Sequence, residues 1–356
     1  PIPTEDSKFS VNSKDYKYLA MSYVLVPKDK ETVDIAFDYT LTNRTFTNVP
    51  VQRNYRTNIF GSLLTNTADF NVVIAPGFNN PDNNYEVLNA KGVSQLKDLL
   101  ASGTDLSKKD VIVDLNGETM DSNIALNAHS VAVENGTVDA SQLSAKAEEG
   151  VTLRNVKLAG SFPKASSNAR VIVETAGDVV VDGLDYTGAT DGYNPLEINL
   201  RNVVSKNITV KNCKFANFTN NAMSVFGMAE GGVLNIENNT FDLGKTSEAA
   251  RISNKTNTKF TINVKDCSYT YPTDAAGQWV GFFLFEDYTS TAAEVNTAMQ
   301  FKDLTVNVDN VTFDGAKVTE LNLFSGARNQ FACMCYDNLQ GLIVTDATHF
   351  PTFTFK

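Results

Sequence analysis

The chain has 356 residues, a formal net charge of −11 and 42% hydrophobic residues. This length permits two domains and a substantial hydrophobic core. The acidic balance excludes the basic patch that nucleic-acid binding requires, and no apolar run approaches the roughly 20 residues of a membrane-spanning helix.

Residues 1–75 are predicted to form antiparallel strands. Hydrophobic residues alternate in four segments, and turn residues such as Thr42-Asn43-Arg44 separate them. The segments are Tyr18–Val26, Val33–Leu41, Val49–Phe60 and Phe70–Ile74. Four strands are too few to complete a free-standing sandwich. The pattern therefore predicts a partial β-sandwich.

A linker is predicted at 76–86, where Pro, Gly, Asn and Asp dominate the composition. Apolar residues then recur at helical spacing from Val93 to Leu100, and Gly103 ends the pattern. The pattern predicts a short helix near 92–102. Such a helix would cap the open end of a repeat domain that follows it.

Residues 87–356 contain a short motif that recurs eight times. Each copy has an apolar residue, a second two positions later, Asn, Gly or Asp at the fourth step, and an apolar residue at the seventh. The copies begin at Val113, Val131, Val151, Val179, Ile208, Leu234, Ile262 and Val306. Alternating apolar residues indicate a strand with one inward face, and Asn, Gly and Asp tolerate the left-handed backbone of a tight bend. The motif predicts a parallel β-helix of about eight coils, whereas an antiparallel sandwich does not require this fixed phase.

Two long connections interrupt the repeats, Gly188 to Arg201 and Thr270 to Gln300. They are interpreted as insertions, which in solenoids tend to carry binding sites. Strand-like runs between Lys317 and Lys356 are predicted to cover the far end of the domain.

The four cysteines are predicted to be buried thiols. Cys213 and Cys267 occupy the same inward step two coils apart, which is too far for a disulfide. Cys333 and Cys335 form a C-x-C, whose side chains point to opposite faces of a strand. No metal site is expected, because the only histidines, at 129 and 349, are far apart and no C-x-x-C is present.

Two segments carry a resemblance to a known family. Tyr18–Pro27 (YLAMSYVLVP) and Asn48–Thr65 (NVPVQRNYRTNIFGSLLT) resemble the end of a fimbrillin-like (Mfa-like) β-sandwich. The resemblance covers about 70 residues and implies an exported surface protein of gut anaerobic bacteria, in the outer membrane or on the cell surface and lipid-anchored in its full-length form. It implies a role in adhesion or pilus-like assembly. The repeats resemble pectate-lyase-like right-handed β-helices at the level of the fold.

Enzymes with this fold place carboxylates, often with Arg or Lys, on one outer face of adjacent coils. Carboxylates and an arginine that fit this pattern surround the fourth copy. They are Asp178, Asp182, Asp185, Asp191, Glu197 and Arg201. Because the outward positions of any solenoid are polar, no catalytic residue is assigned; Asp182, Asp185, Glu197 and Arg201 are the candidates if the protein is an enzyme.

Aromatic residues in the connections could stack on sugar rings. Tyr193, beside a Gly and near a Pro, is the least core-like of them, and with Asp191 it is the candidate ligand-binding pair. Tyr186 and Trp279 are predicted to be core residues, and Tyr271 is a further stacking candidate.

The sequence therefore favours a non-catalytic cell-surface protein, adhesin-like or glycan-binding, with a polysaccharide or a host or bacterial surface glycan as partner. One alternative is a polysaccharide lyase or glycoside hydrolase, for which alone Ca²⁺ is considered; no cofactor is expected otherwise. The other alternative is a structural subunit that assembles by strand exchange through residues 1–75.

Overall fold

The computed structural model describes two compact units, Pro1–Val87 and Leu88–Lys356. The described residues are 8–11, 14–17, 30–39, 42–52, 55–60, 71–76, 85–162, 169–190, 194–200, 203–243, 248–253, 258–271, 281–287, 301–321, 331–336, 342–343 and 350–356. Within them the chain is all-β with one α-helix, and most strand pairing is parallel.

The first unit contains three antiparallel strand pairs. Its strands are β1 (Lys8–Val11), β2 (Lys14–Lys17), β3 (Lys30–Tyr39), β4 (Thr42–Gln52), β5 (Tyr55–Phe60) and β6 (Asn71–Pro76). β1 pairs with β2, β3 with β4 and β5 with β6. The segment Val49–Phe60, predicted as one strand, is divided between β4 and β5. The predicted strand Tyr18–Val26 lies outside the described residues.

The second unit is built mainly from short strands. They are β7 (Glu86–Lys91, which begins in the first unit), β8 (Lys109–Asp114), β9 (Thr119–Met120), β10 (Ile124–Asp139), β11 (Leu143–Ser161), β12 (Ala169–Thr175), β13 (Asp178–Asp182), β14 (Asp185–Thr190), β15 (Asn194–Ile198), β16 (Ser205–Lys211), β17 (Lys214–Phe215), β18 (Asn221–Val225), β19 (Met228–Glu237), β20 (Thr240–Asp242), β21 (Glu248–Ile252), β22 (Thr261–Lys265), β23 (Ser268–Thr270), β24 (Gly281–Asp287), β25 (Thr305–Asp309), β26 (Thr312–Phe313), β27 (Ala316–Lys317), β28 (Ala332–Tyr336), β29 (Leu342–Ile343) and β30 (Thr352–Phe355).

One helix, α1 (Gly92–Ala101), precedes the repeats, close to the predicted range. Leu96 on its inner side is fully buried, and the helix lies against β8 and β10. The Glu118 carboxylate accepts a hydrogen bond from the Val93 N–H at 2.8 Å. This contact satisfies one of the unpaired N–H groups at the start of the helix and attaches the helix to the first repeat.

Strands of successive repeats pair in parallel in three stacks. The first stack is β8, 130–134 of β10, 150–154 of β11, β13, β16, β19, β22, β25 and β30. The second stack is β9, 137–139 of β10, 157–161 of β11, β14, β17, β20, β23 and β26. The third stack is 124–128 of β10, 143–147 of β11, β12, β15, β18, β21, β24 and β28. β27 and β29 are antiparallel additions to β26 and β28.

The fourth step of the motif is a left-handed bend between the first and second stacks, as predicted. All eight of these positions have φ between +50° and +80°. They are Gly117, Asn135, Asn155, Gly183, Asn212, Asn238, Asp266 and Asn310. The asparagine side chains among them bond from one repeat to the next; Asn238 Nδ2, for example, donates to Asn212 Oδ1 at 2.7 Å. The bends therefore contribute hydrogen bonds along the stack as well as the required backbone conformation.

Two details differ from the sequence-based prediction. Val131 pairs with Val111, whereas the motif aligned it with Val113. The predicted start of the first copy is therefore two residues too late. The supposed insertions also contain regular strands of the third stack, β15 within Gly188–Arg201 and β24 within Thr270–Gln300. Each of these repeats therefore has three strands where the motif indicated two.

The core lies between the three stacks and is rich in aromatic rings towards its C-terminal half. Phe215 and Phe241 stack with centroids 5.3 Å apart, and Phe282 meets Phe241 edge-on at 5.4 Å. Tyr186, predicted to be core, is fully buried. The ring pairs extend the apolar contact from one coil to the next, beyond what aliphatic side chains of the same positions provide.

Cys213 and Cys267 are free, buried thiols, as predicted. Burial raises the pKa of each thiol to about 12, so both remain protonated and unreactive at neutral pH. The side chains of Cys333 and Cys335 lie outside the described residues.

Candidate functional site

The strands of the third stack are more completely buried than those of the first stack. In the first stack buried and more exposed residues alternate, as in β13. In β15, β18 and β21 every residue is buried. Leu196, Met223 and Ala250, in register with one another, belong to the core, so the residues that follow them, Glu197, Ser224 and Arg251, lie on the outer face and are nevertheless enclosed by protein.

Six enclosed polar residues lie on these three strands, and we call them the third-stack polar cluster. They are Asn194, Glu197, Asn221, Ser224, Glu248 and Arg251, with between 0% and 6% of their surface exposed. The strand register places Ser224 between Glu197 and Arg251, and it places Asn221 beside Glu248. Three adjacent strands therefore bring together two carboxylates, two amides, a hydroxyl and a guanidinium.

Asn194 organises one side of the cluster. Its Nδ2 donates to Glu197 Oε1 at 2.6 Å, and its Oδ1 accepts from Asn220 Nδ2 at 2.9 Å and from the Asn221 N–H at 3.3 Å. On the other side, the Arg251 guanidinium lies 5.4 Å from the centre of the Phe226 ring, a cation–π distance. The amide thus orients the Glu197 carboxyl group, and the ring orients the arginine.

Several atoms of the cluster have no hydrogen-bond partner in the part of the chain that the structure describes. They are Glu197 Oε2, Asn221 Oδ1, Asn221 Nδ2 and Ser224 Oγ. More than nine in ten buried polar groups in proteins are hydrogen-bonded, because an unpaired one costs about 1–3 kcal/mol. These four atoms lie on two neighbouring strands, β15 and β18, and lack the partners that buried polar groups ordinarily have.

Burial raises the pKa of the Glu197 carboxyl group above its ordinary value of 4.5, while the hydrogen bond from Asn194 and the positive charge of Arg251 oppose the shift. Below pH 4.5 the group is protonated in both the folded and the unfolded chain. Between 4.5 and the raised value only the unfolded chain loses the proton, so stability falls as pH rises through this window.

Glu197→Gln is therefore expected to change the pH dependence of stability. Urea unfolding of both proteins at a series of pH values should show the wild type losing stability relative to the variant as pH rises above 4.5. Asp185→Asn is the control, for which the pH dependence of the stability difference should have the opposite sign. Burial disfavours ionisation of Asp185, but hydrogen bonds from Thr187 and the charges of Lys214 and Lys157 outweigh it and lower the pKa of the carboxyl group. A Glu197→Gln difference that does not depend on pH would contradict the assignment.

Asp182 belongs to a ladder of alternating charges on the outer face of the first stack. In register, successive strands carry Glu134, Arg154, Asp182, Lys211, Glu237, Lys265 and Asp309. Asp182 lies 3.5 Å from Lys211 Nζ and accepts from Asn212 Nδ2 at 2.6 Å. Opposite charges on neighbouring strands stabilise their pairing, so the register gives Asp182 a structural role.

Asp178 and Asp185 also have local partners. Asp178 accepts from Asn207 Nδ2 at 2.9 Å, and Asp185 accepts from the N–H and the hydroxyl of Thr187. Among the described residues no hydrogen bond or ion pair joins Glu197 to Asp182 or Asp185. The structure therefore places Glu197 in the third-stack polar cluster and these aspartates elsewhere.

The other predicted site residues have different outcomes. Asp191, Tyr193, Arg201 and Trp279 lie outside the described residues. Tyr271 is buried, and its hydroxyl donates to the Gly281 carbonyl at 2.9 Å, which is a structural contact. Among residues with described side chains, no group of three or more His, Cys, Asp or Glu is placed to hold a metal ion.

Sequence reasoning missed five members of the cluster. A signal was present, because Glu197, Ser224 and Arg251 follow one another at intervals of 27 residues, as do Asn194, Asn221 and Glu248. The interval equals one repeat, so each trio forms a row across adjacent strands. The residue types differ within each row, which hid the periodicity from a search for apolar repeats.

Comparison with known proteins identifies one similar family. The Family of unknown function (DUF6562) matches residues 3–115, which include most of the first unit, α1 and β8. No curated protein and no solved structure matches the chain. In the described part of the chain, α1 is too short to cross a membrane, and no other α-helix is present.

Proposed function

We propose that this chain is a non-catalytic, adhesin-like glycan-binding protein of the cell surface that binds sugar at the third-stack polar cluster. In this proposal the second unit is a right-handed parallel β-helix of about eight coils, similar to pectate-lyase-like folds. The first unit is part of a fimbrillin-like sandwich in an exported, lipid-anchored protein. The surface location rests on the sequence resemblance of Tyr18–Pro27 and Asn48–Thr65.

The unpaired atoms of Glu197, Asn221 and Ser224 carry the binding proposal. Binding sites for small molecules are enclosed and contain a few convergent polar groups that determine orientation and specificity. Carboxylate oxygens accept hydrogen bonds, an amide both donates and accepts, and a hydroxyl does either. This combination matches the neighbouring hydroxyl groups of a sugar ring, each of which is also both donor and acceptor.

The test is binding of the purified chain to a panel of neutral and acidic polysaccharides and of mono- and disaccharides, measured by affinity electrophoresis and calorimetry. Asn221→Ala and Ser224→Ala should weaken binding about tenfold or more, since losing a hydrogen bond in an enclosed site costs about 1–3 kcal/mol. Both variants should be as stable as the wild type or more stable, because they remove buried atoms that lack protein partners.

Asn235→Ala is the matched control, since Asn235 lies in the first stack and bonds to Asn263 at 2.9 Å. It should leave binding unchanged. Failure of every glycan to bind, or equal binding by wild type and Asn221→Ala, would contradict the proposal.

A second candidate function is polysaccharide cleavage, as a lyase or glycoside hydrolase. The observation that favours it is a buried carboxyl group with a raised pKa, Glu197, near the charge of Arg251. A carboxyl group whose pKa is raised by burial is better suited to act as a general acid than an exposed one. New oligosaccharides after incubation, detected by chromatography with and without Ca²⁺ and absent with Glu197→Gln, would favour this function over simple binding.

A further inference from the structure

We infer that the outer edge of β30, the last strand of the first stack, binds the same edge of a second copy of this chain. The two copies then associate end to end about a two-fold axis, with their β30 strands antiparallel. The inference concerns assembly and does not depend on any ligand. It follows from the open edge of β30, the direction of its backbone groups and its sequence.

The three stacks end differently at the C-terminal side of the second unit. In the second stack, β26 is followed by the antiparallel strand β27, and in the third stack β28 is followed by the antiparallel strand β29. In the first stack, β30 pairs with β25, and no strand within the described ranges pairs with its other edge. An edge strand with unpaired N–H and C=O groups is a template for the addition of another strand.

The hydrophobic core also ends at β30. Phe353 and Phe355 lie on the core side of this strand, because they are in register with the buried residues Val306 and Val308 of β25. Their rings stack with centroids 6.0 Å apart, and both residues are only half-buried. Apolar surface therefore remains at this end of the core, and a second copy that ends in the same two rings would cover it.

The hydrogen bonds between β30 and the preceding coil show which backbone groups of β30 remain available. Thr352 N–H donates to Leu304 O at 3.0 Å, and Lys356 N–H also donates towards β25, at 2.9 Å. Because backbone groups alternate in direction along a strand, the N–H and C=O groups of Phe353 and Phe355 point away from β25, towards the open edge.

These groups and Pro351 favour one register between two antiparallel copies. Residues whose backbone groups point across the gap lie opposite each other and exchange two hydrogen bonds. Pro351 has no N–H, so a register that places it opposite Phe355 leaves the Phe355 carbonyl without a donor. Pairing Phe353 with Phe355 of the second copy instead satisfies both N–H and both C=O groups in each chain. This register places Thr354 opposite Thr354 of the second copy, on the two-fold axis.

The same register suits the side chains. Residues directly opposite each other lie on the same face, so phenylalanines meet on the core side and threonines meet on the outer side. Lys356 lies opposite Thr352 of the second copy, so no like charges face each other along the strand. Since β30 has only four residues, we expect a weak dimer that forms as the concentration rises.

Thr354 provides a test that is specific for a two-fold axis. It is exposed, and its Cα atom should lie about 4.5 Å from that of Thr354 in the second copy. Thr354→Lys and Thr354→Glu each bring like charges together there, so each should weaken association of the complete chain about fivefold or more. An equimolar mixture of the two variants brings opposite charges together and should restore the dimer.

Sedimentation velocity between about 1 and 500 µM measures the monomer–dimer equilibrium. Thr152→Lys and Thr152→Glu are the matched controls, because Thr152 lies within the first stack with Ala132 and Val180 in register on either side. Both controls should associate as the wild type does. Circular dichroism shows whether each variant is folded.

Three results would overturn the inference. The first is a wild-type chain that stays monomeric throughout this concentration range. The second is dimer formation by each Thr354 variant alone as readily as by the wild type, which would assign the dimer to another surface. The third is a mixture of the two variants that associates no better than either alone, which would exclude pairing about a two-fold axis at Thr354.

Discussion

Arg170→Met is expected to lower the free energy of unfolding by about 3 kcal/mol, since several buried carbonyl groups would lose a charged donor at once. Arg170 is fully buried, and its guanidinium donates to Ser141 O at 2.6 Å, Val138 O at 3.2 Å and Ala159 O. These carbonyls belong to the two preceding coils. The side chain therefore joins three successive coils at the corner between the second and third stacks.

Urea unfolding followed by circular dichroism measures this effect. Burial lowers the pKa of the Arg170 guanidinium, and the nearby Tyr186 and Asp139 oppose the shift. Arg170→Lys keeps a charge but not the planar set of donors, so it should recover only part of the lost stability. Arg154→Met removes an exposed arginine of the charge ladder and should cost no more than about 0.5 kcal/mol. If Arg154→Met and Arg170→Met lowered the free energy of unfolding equally, the carbonyl contacts of Arg170 would not be the cause of its effect on stability.

Asn239→Ala is expected to cost about 3 kcal/mol for a related reason. Asn239 is buried next to a left-handed bend, where its Oδ1 accepts from the Cys213 N–H at 2.7 Å and its Nδ2 donates to Val210 O at 2.9 Å. Both partners lie in the preceding repeat. Removing the amide leaves a buried donor and a buried acceptor unpaired, and each costs about 1–3 kcal/mol.

The adjacent Asn238 is the matched control for Asn239. It is exposed, adopts φ 51° and donates to Asn212 Oδ1 at 2.7 Å. Asn238→Ala should cost about 1 kcal/mol, mainly from the left-handed backbone and one exposed hydrogen bond. Denaturant midpoints of the two variants measure the comparison, and a larger loss at Asn238 than at Asn239 would contradict the bridging role.

The fold could be predicted where one repeat determines its own conformation. The first two stacks follow from apolar positions at steps 0, 2 and 7 and from Asn, Gly or Asp at step 4, because side-chain alternation and left-handed bends are local properties. The register of Val151 on Val131 and of Leu234 on Ile208 agrees with the predicted alignment. The first copy failed at Val113, since Val111 also begins an apolar alternation there.

The third stack could not be predicted in the same way. Residues of β15, β18 and β21 are buried on both faces. Their sequences therefore lack the alternation of apolar and polar residues that indicates which side of a strand faces water. Glu197 was identified as a candidate, but sequence proximity grouped it with Asp182 and Asp185. The register instead places it beside Ser224, 27 residues away, because neighbours in a parallel stack are one repeat apart and not a few residues apart.

The amino-acid sequence by itself determined the repeat, the bends, the buried thiols of Cys213 and Cys267, and an all-β repeat domain with a helix before its first repeat. Each of these depends on the preferences of individual residues and on spacings within a single repeat. Only the tertiary structure decided that Asp182 lies in a charge ladder and that Glu197 is enclosed with Asn221, Ser224 and Arg251. Those outcomes depend on which repeat lies against which and on what covers the outer face, and contacts between distant segments determine both.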